Sequence, residues 1–247
     1  MQDLSKKLVE YSFTHQLSHI PSALSMLDYV HVLFAQHFVK PSDFIVIGKP
    51  FGAQAYYLVW QELGLLDSIE HLSVSVKHDE ISFVDYGEET LGNALGVAAG
   101  IAIATDNKQV WVNLSDATLQ MGNTLEAIQF IGHNCLSDIL VTVDYNGAQV
   151  TGSTHSILSV DPIIDMCYNY GWDVRIVDGH DNVALTKTFI GLDNTKPKIV
   201  FCRTRKGYGY PSMTSDTKKW HYKKIESEQE LQRLLDEKNT TPLSYES

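Results

Sequence analysis

The chain is poor in cysteine, in basic residues and in long apolar runs, and each shortage removes a class of function. Its three cysteines, Cys135, Cys167 and Cys202, are far apart, odd in number and set among apolar residues. Neither a disulfide framework nor a Cys-x-x-Cys metal site is suggested. Lysine and arginine total 19 against 30 acidic residues, giving a formal net charge of −11 and a pI near 5.3. Nucleic acid and anionic membranes select basic surfaces, so neither is expected as a general partner. The opening MQDLSKKLVEYSF has no apolar signal core, and the longest apolar run, LGVAAGIAIA, is too short to span a bilayer. A reduced, cytoplasmic location is the expectation. No P-loop and no glycine-rich dinucleotide fingerprint follows any strand, which argues against a nucleotide-binding protein.

What is present is an ordinary globular composition of 247 residues, 44% hydrophobic and 20% charged, long enough for one large core. Residues 22–38 carry apolar residues at helical spacing behind Pro21 and Ser22, which suit a helix start. DFIVIG (43–48) reads as a strand, FGAQAYYLVWQELG as the helix after it, and the acid- and histidine-rich stretch 67–89 as loop. Residues 91–104 form a helix of small residues, a type that lets backbones approach closely. The alternation continues with strand 109–115, helix 122–133, strand 138–145, a loop through GAQVTGSTHS, helix 161–170, strand 172–177, helix 181–192 and strand 198–204. Such alternation implies parallel βαβ units, hence an α/β class with a doubly wound, mostly parallel sheet flanked by helices. One domain is expected over 1–225, followed by a charged amphipathic helix and loose tail over 226–247.

One aspartate, Asp116, ends the β-rich run QVWVNLS, and a second apolar strand thirty residues on ends in Asp144, Tyr145 and Asn146. That separation is about one βαβ repeat, so adjacent strands would hold Asp116 and Asn146 side by side at their carboxyl ends, where open sheets bind ligands. A carboxylate, an amide oxygen and a nearby carbonyl are hard ligands suited to Mg2+ that keeps water and diphosphate. The competing reading makes Asp116 a helix N-cap.

At this point the chain resembles the thiamine diphosphate enzymes of the transketolase type, in their amino-terminal, diphosphate-binding half. That family's Gly-Asp-Gly and Asn-Gly appear as Ser115-Asp116-Ala117 and Asn146-Gly147. SHIPSALSMLDYVHVLF resembles its Gly-His-Pro-Gly-Gly-Ser-Leu-Ser helix, with His19 in the histidine position, and GKPFGAQAYYLVWQELG its Ser-Lys-Gly-His-Gly segment. FVDYGEETLGNALGVAAGIAIA, DVRIVDGHD and TRKGYGYPSMTSDTKKWH are similar to three further landmarks. The resemblance implies Mg2+ bound by Asp116, Asn146 and the carbonyl of Ala148, with the diphosphate of thiamine diphosphate on that metal. It implies that Ser115 and the Ala117 amide meet the phosphates, that His221 reaches a diphosphate oxygen, and that His19 and His78 face substrate. The backbone of Glu89, Thr90 and Leu91 would lie against the cofactor's rings. The implied activity is transfer of a two-carbon ketol or acyl unit to an aldehyde or related acceptor. It needs a partner subunit carrying the pyrimidine-binding domain, in an α2β2 assembly.

The chain also departs from the pattern. Phe51-Gly52 replaces His-Gly, Met121 replaces a glutamate, both glycines around Asp116 are gone, and the stretch from His71 to Asp85 is shorter. Glu126 is a further match. Phenylalanine can neither donate a hydrogen bond nor shuttle a proton, so a less polar donor or acceptor is expected. If Ala117 needs a positive φ, strain of roughly 1–2 kcal/mol follows. These losses keep open a second reading, a degenerate, non-catalytic scaffold or regulatory subunit. His19, His78 and His221 each also read as structural histidines, and His180 as the residue that orders a strand end.

Overall fold

The computed structural model describes residues 3–70, 72–77, 80–105 and 108–240. Six strands, β1 (Phe44–Ile47), β2 (Tyr86–Gly87), β3 (Val110–Ser115), β4 (Ile139–Tyr145), β5 (Asp173–Asp178) and β6 (Lys198–Arg203), form one sheet in the order β2-β1-β3-β4-β6-β5. Every pairing is parallel, as the strand–helix alternation requires. Side chains alternate between two cores, one on each face. Ile45, Ile47, Trp111 and Val200 enter the first, and Val46, Val110, Val112 and Phe201 the second.

The first face is covered by helices Leu4–Thr14, Ile20–Ala35, Gln54–Glu62 and Asn182–Ile190, whose aromatic residues Tyr29, Tyr56 and Trp60 are fully buried. The second is covered by Ala94–Ala104, Gly122–His133 and Asp161–Asn169. A buried amide on β3 ties the first layer down: Asn113 Oδ1 accepts from Tyr29 Oη (3.0 Å) and Thr142 Oγ1 (2.9 Å), while Nδ2 donates to Tyr56 Oη (2.5 Å). Buried polar atoms are tolerated because they are paired.

Several elements differ from expectation. Helix Leu4–Thr14, started by the Asp3 side chain, was not foreseen. The stretch 67–89 contains the two-residue edge strand β2, and a 3₁₀ turn, Asp116–Gln120, sits between β3 and the next helix. Single turns of helix occur at Thr154–Ile157, at the end of the stretch read as loop, and at Pro211–Ser215 and Lys219–Tyr222, beyond the last expected strand. The helix expected from residue 22 begins at Ile20. In the small-residue helix the close approach is at its amino end: a Cβ on Gly48 would lie 2.7 Å from Ala94 Cβ, whereas one on Gly96 or Gly100 would meet nothing within 4 Å. Helix Glu228–Thr240 packs on Leu4–Thr14, with Leu234 in the core; the loose end expected at 241–247 lies outside the described residues. Among the described residues no helix is long and apolar enough to cross a membrane.

Candidate functional site

The register of β3 and β4 pairs Ser115 with Asp144, so the residues that follow, Asp116 and Asn146, emerge side by side at the carboxyl edge of the sheet. Ser115 is the N-cap of the 3₁₀ turn, in a reciprocal box with Thr118. Asp116 is therefore not the cap: it is the first residue of the turn, 1% exposed, and its carboxylate reaches across to the neighbouring loop. Oδ2 accepts from the Gly147 amide (2.7 Å) and Thr154 Oγ1 (2.9 Å), and Oδ1 from the Ala117 amide (2.8 Å). Burial, reinforced by the charge of Asp144 and opposed by these bonds, holds its carboxyl up at about 6. No cation pairs with it among the described residues.

Asp144 is different. It too is fully buried, but Lys49 Nζ lies 2.5 Å from its Oδ2, and Ser25 and Thr204 hydroxyls donate to Oδ1. Burial alone would raise its pKa; the Lys49 charge and these donors win, and it lies below the ordinary value. Its Oδ2 also accepts from Asn146 Nδ2 (2.7 Å), which orients the amide and leaves Oδ1 to accept from Ala148 N (2.9 Å). Lys49 in turn donates to the Ser22 carbonyl (2.8 Å), so β1, β4 and helix Ile20–Ala35 are locked around one buried ion pair.

These groups border a cavity of 470 Å³, walled also by His19, Phe51, Lys206 and His221. His19 takes the left-handed conformation (φ 61°), which is uncommon for a residue with a side chain, and its amide donates to the His221 carbonyl (3.2 Å). Its ring stacks on Phe51 (4.8 Å between centroids, 17°) and meets His221 edge-on (4.6 Å, 72°). Burial, and then the charges of His221, Lys206 and Lys49, lower His19 to about 4; burial and Lys206 lower His221 to about 4. Both rings are thus neutral at physiological pH. Burial, and then Lys49, also lower Lys206, to about 8.

The cavity brings together Asp116, Asn146, Ala148, Ser115, Ala117 and Leu91 with His19 and His221. It does not include Glu89 or Thr90, which are exposed, nor Glu126, exposed on its helix. The acid beside them, Glu88, is buried and accepts from the amides of Gly92, Asn93 and Ala94, capping the small-residue helix. His78 lies outside the described residues. The Ala117 amide, expected to meet phosphate, is taken by Asp116 itself. Ala117 is not among the residues of positive φ, so the lost glycine causes no left-handed strain. His180 does order a strand end: Nδ1 is 2.7 Å from Asp28 Oδ2 and Nε2 accepts from Arg205 N (3.0 Å). Lys49, Asp144 and Lys206 were missed, although all three sit in stretches singled out above. Lysine is almost never fully buried unless paired, and nothing in the sequence says that these two are.

Comparison with known families matches residues 90–235 to the one described as "Transketolase, thiamine diphosphate binding domain". Transketolase-like protein 2 of Bos taurus is 28% identical over 264 residues, covering 95% of this chain and 42% of that protein. One subunit of the apulose-4-phosphate transketolase of Phocaeicola vulgatus is 26% identical over 239 residues, covering 88% of this chain and 85% of that one. Among solved structures, transketolase of Campylobacter jejuni superposes with a TM-score of 0.77 at 17% identity, over 96% of this chain and 41% of that chain. The chain thus spans about two fifths of the full-length relatives and most of the Phocaeicola subunit.

Proposed function

We propose, because the chain belongs to the transketolase family through its thiamine diphosphate-binding domain, that it is the diphosphate-holding subunit of a split transferase. In this reading it moves a two-carbon ketol or acyl unit onto an aldehyde or related acceptor. The observation that carries it is Asp116: a buried carboxylate on the cavity wall, without a cationic partner among the described residues, beside an amide oxygen and a carbonyl. That set of hard oxygens fits Mg2+, whose remaining ligands would be water and phosphate. Its charge would offset the burial that now holds the Asp116 carboxyl up at about 6.

Asp116, Asn146 Oδ1 and the Ala148 carbonyl would hold the metal, and Lys206 with His221 would bind anionic oxygens of the diphosphate. The cofactor, when bound, supplies the carbanion chemistry that makes and breaks the carbon–carbon bond. The chain's task is to bind and orient it. Phe51, stacked on His19, puts an apolar ring on the wall where the family pattern has a second imidazole, which favours a less polar donor or acceptor. Turnover of xylulose 5-phosphate against pyruvate tests this point; robust use of the sugar phosphate would sink it.

A separate subunit carrying the pyrimidine-binding domain completes the site in an α2β2 assembly; the length match to a relative that is itself named as one subunit supports this form. Three free thiols, two of them buried, support a cytoplasmic setting. The deciding experiment is calorimetric titration of thiamine diphosphate with Mg2+ into the chain mixed with its candidate partner, with Asp116→Ala as control. Binding lost in the control establishes a cofactor-holding subunit. No binding in either makes the scaffold reading the better one, which Phe51 and Met121 on the cavity wall already favour.

A further inference from the structure

Lys206 is 4% exposed, and its Nζ lies 3.2 Å from Nδ1 of His221. An ammonium has three donors and no acceptor, so in this pair the lysine gives the hydrogen bond and Nδ1 receives it. Lowered to about 8, Lys206 still carries its proton at neutral pH, while His221, at about 4, is a neutral ring with one N–H and one lone pair. The lone pair is committed to Lys206. The ring proton therefore has one place left, Nε2.

We propose that Lys206 is a positioning residue that fixes the tautomer of His221 and makes it a permanent Nε2–H donor at the cavity wall. The proposal rests on the cofactor reading only for the identity of the anion that this donor meets. His19 supplies the contrast within the same wall: its Nδ1 partner is the Ser18 hydroxyl (2.9 Å), which can donate or accept, so nothing fixes its tautomer. Among the described residues Lys206 has no other hydrogen-bond partner, so two ammonium protons remain uncommitted on the Nδ1 side of the ring, away from the Nε2–H. Each suits an anionic oxygen in the cavity, which both residues line. In the opposite tautomer the imidazole would present a lone pair to that oxygen and repel it.

The test is nitrogen NMR of the ligand-free chain labelled with 15N-histidine at neutral pH, with His221 assigned by the signals lost in His221→Gln. The expected spectrum shows His221 protonated at Nε2 and bare at Nδ1. Lys206→Arg, whose guanidinium also lacks an acceptor, should retain it, and Lys206→Met should give a mixture of tautomers. A wild-type ring protonated at Nδ1 overturns the proposal whatever the variants do. So does an unchanged tautomer in Lys206→Met with a native backbone spectrum. Failure of thiamine diphosphate to bind would sink the cofactor reading and leave these ring signals as they are, so the two ideas fail separately.

Discussion

Asp116→Asn should make the ligand-free chain more stable at neutral pH while abolishing Mg2+-dependent binding of the cofactor. The carboxyl sits at about 6 in the fold against 3.8 for an unperturbed aspartate, raised first by burial and then by Asp144. A folded-state pKa above the unfolded one means that the native state binds the proton more tightly. Stability therefore falls as pH rises from about 4 to about 6 and stays low above that. At 1.36 kcal/mol per tenfold, holding the charged form buried costs about 3 kcal/mol at neutral pH. Asparagine keeps the shape and one acceptor oxygen but cannot accept at its nitrogen, so one of the three bonds from Ala117, Gly147 and Thr154 is lost. That loss is worth about 1 kcal/mol, leaving a net gain of about 2 kcal/mol at neutral pH and a small deficit below about pH 4. Urea unfolding of both proteins in chelator, across that pH range, reads the difference. An asparagine variant that is less stable at neutral pH, or a difference independent of pH, refutes the reasoning.

Lys49→Met leaves Asp144 buried without its cation and should cost roughly 3–5 kcal/mol at neutral pH by urea unfolding. Because the pKa of Asp144 is depressed in the fold, the stability it contributes is present above its unfolded value and is lost as pH falls through the folded one, so the cost of the variant shrinks in acid. Gly52→Ala should lower the melting temperature: φ is +93° there, a Cβ would lie 2.8 Å from the Ala23 amide nitrogen, and the left-handed conformation alone costs roughly 1–2 kcal/mol. Phe51→His should shift relative kcat/KM toward the sugar phosphate donor by roughly tenfold, the worth of one hydrogen bond of about 1.4 kcal/mol, measured in competition with pyruvate.

The central strands were legible because β3 and β4 are buried on both faces and so read as near-continuous apolar runs. The distance between their polar ends then placed Asp116 beside Asn146. The edge strand β2 was not legible, because two residues carry no period and its pairing depends on β1. The backbone of His19 was hidden as well: Pro21 marks a helix start, but only the fold shows the helix beginning at Ile20, with His19 turned left-handed before it. The absent glycine raised the question of strain at Ala117, conditional on a positive φ there. In the structure a 3₁₀ turn, capped by Ser115, carries the chain through that point with ordinary angles. Burial of Lys49 and Lys206 is a tertiary property, since it requires Asp144 and His221 to arrive from distant elements.

The wholly parallel sheet also dictates when the cavity can come into being during folding. No pair of strands can close as a hairpin; each must wait for a crossover, and long closures cost more entropy than short ones. The short crossovers are those from β3 to β4 and from β5 to β6, whereas β1 reaches β3 only after the chain has passed through residues 48–109. Pulse-labelled hydrogen exchange should accordingly protect β3 and β4 amides before those of β1. The cavity draws on the ends of β1, β3, β4 and β6 together, so no half-folded chain possesses it, and a ligand that occupies it selects only molecules that have finished folding.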